Sequence, residues 1–450
     1  MSEWVLRGAR VVFPDGTRPA TVHVRGERIE RIGAFEDVPD GATVVDAGAL
    51  TVLPGVVDTH VHVNEPGRTE WEGFRSVTRA AAQGGVTTLF DMPLNSLPST
   101  TSVAALDQKR RAADGKLSID VGFTGGVVPG NAGELRAMAK EGVRAFKAFL
   151  CDSGVAEFPH VAAGDLETAL PTLADAGATF FAHAELPGPL EAAERAFGPA
   201  TASDLQKHAT WLRSRPRAAE DEAIALLFAL CRSTGARTHV VHLSSSDALP
   251  ILKAARDQGV PLSAETCPHY LHFDAEHIPD GATLHKCAPP IREKENRDAL
   301  WAGLEAGLIR MVVSDHSPCT PELKVLELGD FVKAWGGISS LGLGLSIVWT
   351  HAQKLGIPLE RVVEWMCAAP AALVGLTGRK GSLVPGADAD FVLFDPDAEW
   401  RVVTEKLLYK NAVSPYVGTA LRGKVRATYL RGERVYDGDA VTERPTGRMI

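Results

Sequence analysis

Asp58-Thr59-His60-Val61-His62 follows directly on an apolar stretch, 52–57, that reads as a buried strand. Side chains alternate along a strand, so His60 and His62 share a face and both can reach one metal ion. Asp58 lies on the same face, where a carboxylate can support metal-bound imidazoles. A His-X-His string by itself is more often a pair of hydrogen-bonded core histidines. What turns it toward chemistry is the rest of the chain, where further ligand-type residues stand singly at the ends of later apolar runs.

Outward from this stretch, strand and helix patterns alternate, which predicts parallel strands joined by crossover helices. Apolar strand candidates occupy 55–63, 86–92, 119–124, 143–150, 179–185, 238–244, 261–267 and 309–314. Eight is the number that closes a barrel. Helices are expected between them, among them an alanine-rich 71–83, 218–233, and 247–258 capped by Asp247. The first 52 residues carry short alternating runs, Val11-Val12-Phe13, Thr21-Val22-His23-Val24 and Arg28-Ile29-Glu30-Arg31-Ile32, broken by turn residues. That texture signals a small antiparallel sheet, and it returns after Pro385 in Asp390-Phe391-Val392-Leu393-Phe394 and Ala427-Thr428-Tyr429-Leu430. The expected fold is α/β: a (β/α)8 TIM-type barrel over 53–384, with a small β-sandwich domain formed by both chain ends, 1–52 and 385–450.

At 450 residues and 45% hydrophobic content the chain can bury a large core. Its 56 acidic and 47 basic residues give a formal charge of -9 with no basic run to track a phosphate backbone, which argues against nucleic acid as a partner. No apolar run approaches the roughly 20 residues that cross a bilayer, and Met1-Ser2-Glu3-Trp4 lacks a signal-peptide pattern. A cytoplasmic protein with no membrane partner is expected. Cys151, Cys231, Cys267, Cys287, Cys319 and Cys367 are dispersed without a Cys-X-X-Cys pair, as suits reduced, buried thiols.

In such a barrel the chemistry lies at the carboxyl ends of the strands. His60 and His62 end the first run, Lys147 sits in the fourth within Ala145-Phe146-Lys147-Ala148-Phe149, His183 ends the fifth, and Asp315-His316 end the eighth. The sixth holds His239 and His242, three apart and so expected on opposite faces. His242, nearer the carboxyl end, is taken as the inward one, with His239 packed against a helix. Lys147, flanked by Phe146, Phe149 and Leu150, is costly to keep charged, so its pKa should fall. A neutral amine can add carbon dioxide, giving a carbamate whose two oxygens can bridge two cations. Asp315 can serve as a ligand and as a proton carrier; His316 is the weaker member of its pair.

The chain resembles the cyclic amidohydrolases of the amidohydrolase superfamily, and within them the allantoinase family, over nearly its full length. The strings that carry the resemblance are His60-Val61-His62 continuing through Glu65-Pro66-Gly67-Arg68 and Trp71-Glu72-Gly73, then Asp91-Met92-Pro93-Leu94-Asn95-Ser96, Phe146-Lys147-Ala148-Phe149 and Cys267-Pro268-His269-Tyr270. They continue in Pro289-Pro290-Ile291-Arg292, Ser314-Asp315-His316-Ser317-Pro318-Cys319, Ala334-Trp335-Gly336-Gly337-Ile338 and Val413-Ser414-Pro415-Tyr416-Val417-Gly418. The resemblance implies a binuclear metal centre on His60, His62, carboxylated Lys147 (N6-carboxylysine), His183, His242 and Asp315. It also implies hydrolysis of allantoin to allantoate in purine catabolism, and often a homotetramer. Relatives are separated by single positions. Dihydroorotases carry an arginine where this chain has Asn64, although Arg68 lies nearby, and their Met-Pro-Asn-Thr stands here as Met92-Pro93-Leu94-Asn95. Hydantoinases and dihydropyrimidinases commonly carry a tyrosine soon after the bridging lysine and an Asn-Gly pair in the later loop, where this chain has Leu150-Cys151-Asp152-Ser153 and Gly336-Gly337. Ala288 stands where serine is frequent.

The expected mechanism is attack of a metal-bridging hydroxide on the ring carbonyl, with Asp315 moving the proton to the departing nitrogen. Two +2 ions less hydroxide, carbamate and aspartate leave about +1 to stabilise the oxyanion. The donor set favours Zn2+, with cobalt, nickel, manganese or iron also accepted. Asn64, Asn95, Ala288 and Gly337 are candidates for holding the small-molecule substrate. The alternative on the same scaffold is a hydantoinase or dihydropyrimidinase acting on another cyclic amide. A noncatalytic scaffold would be expected to have lost ligands, and a mononuclear deaminase sits poorly with Lys147.

Overall fold

The computed structural model describes residues 3–198 and 200–450, so Met1 and Ser2, at the head of the first β-rich segment, lie outside the described residues. Each of the eight expected apolar runs contains a parallel strand: Val56–Val61, Val86–Asp91, Asp120–Phe123, Ala145–Phe149, Thr179–His183, Thr238–Val240, Leu262–Thr266 and Met311–Val312. The third resumes after Thr124 as Gly125–Gly126, which pairs with the fourth. The ring closes where the His62 N–H donates to the His316 carbonyl at 2.8 Å, beside a parallel bridge between Val61 and His316. Val56–Val61 is buried at every position, as expected of strands covered on both faces.

Helices cover the outside. The expected helix at 71–83 begins only at Phe74, because Gly73 precedes it at φ 122° and cannot be part of a helical turn. Arg217–Thr234 ends on Gly235 at φ 69°, the left-handed geometry that glycine adopts without cost. Asp247 does not cap the following helix: it lies inside a 3-10 turn, Ser246–Ala248, and its carboxylate accepts from Arg217, while the helix proper runs Leu249–Asp257.

The two chain ends join in one eight-stranded sheet. Its order runs Glu433–Tyr436, Ala420–Leu430, Phe391–Arg401, Thr51–Pro54, Glu3–Phe13, Gly16–Arg25 and Arg28–Gly33, with Thr43–Asp46 paired to Glu3–Phe13. The sheet has a core of its own, including Leu6, Val22, Val24, Val52, Phe391 and Leu393. Barrel and sheet are tied by buried charge. Lys380 reaches Asp120 on the third barrel strand at 2.7 Å, Asp390 at 2.8 Å and Asp388 at 3.0 Å, and Arg431 also pairs with Asp120. Burial alone would lower the Lys380 pKa, but the three aspartates outweigh it and raise it.

Removing one partner from such a network strands the others. Lys380→Ala is expected to destabilise the chain by about 3–5 kcal/mol, read as a lower denaturant midpoint. An unchanged midpoint would show that the network contributes nothing.

Candidate metal centre

The carboxyl ends of the strands bring six predicted side chains to one rim. His60 Nε2 lies 3.5 Å from Lys147 Nζ and 3.2 Å from Asp315 Oδ1, and His62 Nε2 lies 3.6 Å from the same oxygen. His183 Nδ1 stands 3.1 Å from His242 Nε2, and the His60 and His242 rings are 5.3 Å apart. All six side chains are buried, Lys147 completely. All but His60 line an open cavity of 520 Å³, together with Asn95, Cys151, Trp211, Lys286 and Trp335 among others.

Burial sets the electrostatics. It pulls the Lys147 amine down to about 8, against the opposing pull of Asp315 and Glu265. It lowers His60 and His242 well below the ordinary range, with Lys147 adding to both. Burial would raise the Asp315 carboxyl, but His62, His269 and Lys147 hold it below its usual value. The result is a buried cluster of imidazole nitrogen lone pairs around a carboxylate, the protonation state that metal ligands require. His242 Nδ1 is buried without a hydrogen-bond partner, and His60, His62 and Asp315 can point one donor atom each at a single ion. The donor set therefore fits divalent cations.

Three of the four imidazoles, those of His60, His183 and His62, are met from behind, as metal-bound histidines usually are. Glu265 Oε1 takes His60 Nδ1 at 2.6 Å, and Glu185 Oε2 takes His183 Nε2 at 2.8 Å. Arg215 grips Glu185 in turn; burial would raise that carboxyl, but Arg215 and His183 outweigh it. Asn95 Nδ2 lies 3.4 Å from His62 Nδ1. Asp58 supports the backbone instead: it accepts from the His60 and Ser314 amides, fastening the first strand to the eighth, and burial raises its pKa to about 7.

Several expectations need correction. His239 does not pack against a helix. The register Lys147–Phe181–His239 puts it on the inner face, where Nε2 meets Glu265 at 3.0 Å and Nδ1 meets Ser263 at 2.7 Å. Both histidines of this run face inward because the strand stops at Val240 and His242 takes φ 41°, which breaks the alternation. His316 turns away from the cluster toward Glu72 and the Ser340 amide. Asn64 does not line the cavity: its Nδ2 donates to the Pro318 carbonyl. Gly337 lines it, but its N–H is bound to the Lys286 carbonyl and its own carbonyl to Lys324. Ala288 lines it too, and among the described residues its backbone groups carry no protein hydrogen bond. Glu265 went unnoticed in the sequence, although it is the one charged residue in the seventh run. Glu185 and Arg215 carried no comparable signal, since their pairing spans 30 positions.

The chain matches the Amidohydrolase family over residues 51–435. It is 50% identical over 449 residues to the allantoinase of Streptomyces avermitilis, covering 100% of this chain and 98% of that one. To the allantoinase of Saccharomyces cerevisiae it is 43% identical over 458 residues, covering 98% and 97%. Among solved structures, the L-hydantoinase (dihydropyrimidinase) from Arthrobacter aurescens aligns with a TM-score of 0.93 at 31% identity, covering 100% of this chain and 99% of that one.

Loss of the carboxylate behind His60 tests the geometry directly. Glu265→Gln is expected to weaken metal retention on the order of 10- to 100-fold. Metal analysis after dialysis against a graded chelator reads it, and wild-type retention would remove Glu265 from that role.

Proposed function

The chain belongs to the amidohydrolase family, and we propose that it hydrolyses allantoin to allantoate, opening the five-membered ring at its amide bond. Its full-length similarity to allantoinases from a bacterium and a yeast carries this conclusion. The second candidate, a hydantoinase or dihydropyrimidinase, is favoured only by the likeness of fold to solved hydantoinases.

His60, His62, His183, His242 and Asp315 would hold two divalent cations, most readily zinc, with Lys147 joining them as its carbamate. A buried amine drawn down to about 8 is neutral often enough to add carbon dioxide, releasing a proton, and the resulting anion offsets the cations. Bound there, the ions would lower the pKa of water and polarise the substrate carbonyl. Asp315 takes the proton from the attacking water and delivers it to the departing ring nitrogen, so its position at the cavity wall, beside His60 and His62, is what the transfer needs. Phe149, stacked on His183 at 4.2 Å, shields that imidazole from water.

We place the catalytic barrel at 53–384 and the β-sandwich at 1–52 with 385–450. Six buried, unpaired cysteines support a reducing, cytoplasmic setting. No helix among the described residues is long and apolar enough to cross a membrane. Leu326, Leu328 and Val332, exposed on one segment, favour assembly with further copies, for which a homotetramer is proposed.

Side-by-side assays of allantoin, hydantoin, dihydrouracil and dihydroorotate should give allantoin the highest kcat/KM, and a preference for another ring would reject the assignment. Lys147→Ala is expected to lose metal and nearly all activity, with partial return of both on adding a short carboxylic acid. Wild-type metal content in that variant would count against a bridging lysine. Asp315→Asn should fold yet turn over about 10²- to 10⁴-fold more slowly.

A further inference from the structure

One wall of the cavity carries charge that the ligand cluster does not use. Lys286 and Lys324 are 5% and 3% exposed, and neither has a carboxylate within salt-bridge reach among the described residues. Burying an ammonium in this way is costly unless its hydrogens are all engaged. Lys286 Nζ donates to the carbonyls of Val332 at 2.9 Å and Ala334 at 2.6 Å. Lys324 Nζ donates to those of Trp335 at 3.0 Å and Gly337. Two ammonium groups thus suspend the segment 332–337 by four of its carbonyls, and the Lys286 carbonyl takes the Gly337 N–H in return.

The two lysines differ in one respect: Lys286 lines the cavity and Lys324 does not. Lys286 Nζ stands 4.1 Å over the Trp211 ring, with the Arg215 guanidinium 5.2 Å from the same ring. Arg215 spends its charge on Glu185, whereas Lys286 has no such partner. Burial draws the Lys286 pKa to about 7, Lys324 and Arg215 push the same way, and Asp330 opposes them. An ammonium has three N–H groups, and the loop carbonyls take two. The third finds no oxygen or nitrogen acceptor among the described residues, only the face of the Trp211 ring, a weaker partner than an oxygen.

Allantoin differs from bare hydantoin by a ureido arm on the ring carbon next to the attacked carbonyl. Its urea oxygen is a strong acceptor that loses affinity if buried unpaired. We propose that the third N–H of Lys286 donates to this oxygen, making Lys286 a specificity-determining residue, while Lys324 is a positioning residue for the loop; this rests on the allantoin-hydrolysing activity proposed above.

Lys286→Met and Lys324→Met each delete two loop hydrogen bonds, so their difference isolates the contact to substrate. The expected result in steady-state assays of metal-loaded enzyme is a KM for allantoin raised on the order of 10- to 100-fold further in Lys286→Met than in Lys324→Met, with kcat and metal content little changed in the former. Equal rises in KM, or none in Lys286→Met, overturn the proposal. If the methionine variants do not fold, Lys286→Gln and Lys324→Gln, which offer two N–H groups in place of three, repeat the comparison. No turnover of allantoin by the wild-type enzyme would fell the activity and this contact together; turnover with equal rises would fell the contact alone.

Discussion

The centre depends on the exclusion of water from a primary amine. Lys147 is wholly buried on the fourth barrel strand, and burial draws its amine down against the pull of Asp315 and Glu265. His60 and His242 are themselves driven toward neutrality, so the cluster is a set of lone pairs waiting for a cation. Glu265 behind His60 and His239, and Glu185 behind His183, keep the rings aimed inward. The acids sit on the far side of the imidazoles, where they fix orientation without occupying the central space.

Backbone geometry marks the same rim. Asn64, Asn95, His242 and Asp315 all hold left-handed φ, between 41° and 68°. Such conformations persist in non-glycine residues only where surrounding contacts over-determine them, and they gather at functional sites. Here they let a chain leaving a strand turn at once and send a side chain back over the barrel mouth. Asp315 reaches the His60 and His62 nitrogens by this means.

Much of this was legible in the sequence, because parallel strands buried on both faces leave long apolar runs whose polar ends stand out. All eight runs, the closing of the ring, the union of the chain ends, and the meeting of His60, His62, Lys147, His183, His242 and Asp315 follow from that contrast. Alternation failed at His239, since a single left-handed residue downstream resets the faces and period-two reasoning cannot foresee it. Asp247 looked like a cap because caps are judged from neighbours, whereas Arg217, 30 positions away, claims its carboxylate. Asn64 and Gly337 were near the right place, but Asn64 Nδ2 donates to Pro318 and the Gly337 backbone is bound to Lys286 and Lys324, a matter of tertiary contacts alone.

The strand Thr51–Pro54 is hydrogen-bonded on both sides within the chain-end sheet, and one residue later the chain enters the barrel as Val56–Val61. That one residue is Gly55, where a methyl group would meet the Thr87 hydroxyl at 2.1 Å. No slack separates the sheet from the strand that delivers His60 and His62. The same strand carries the bridge from Val61 to His316 that closes the ring, so the joint with the sheet and the seam of the barrel lie within one short stretch of chain.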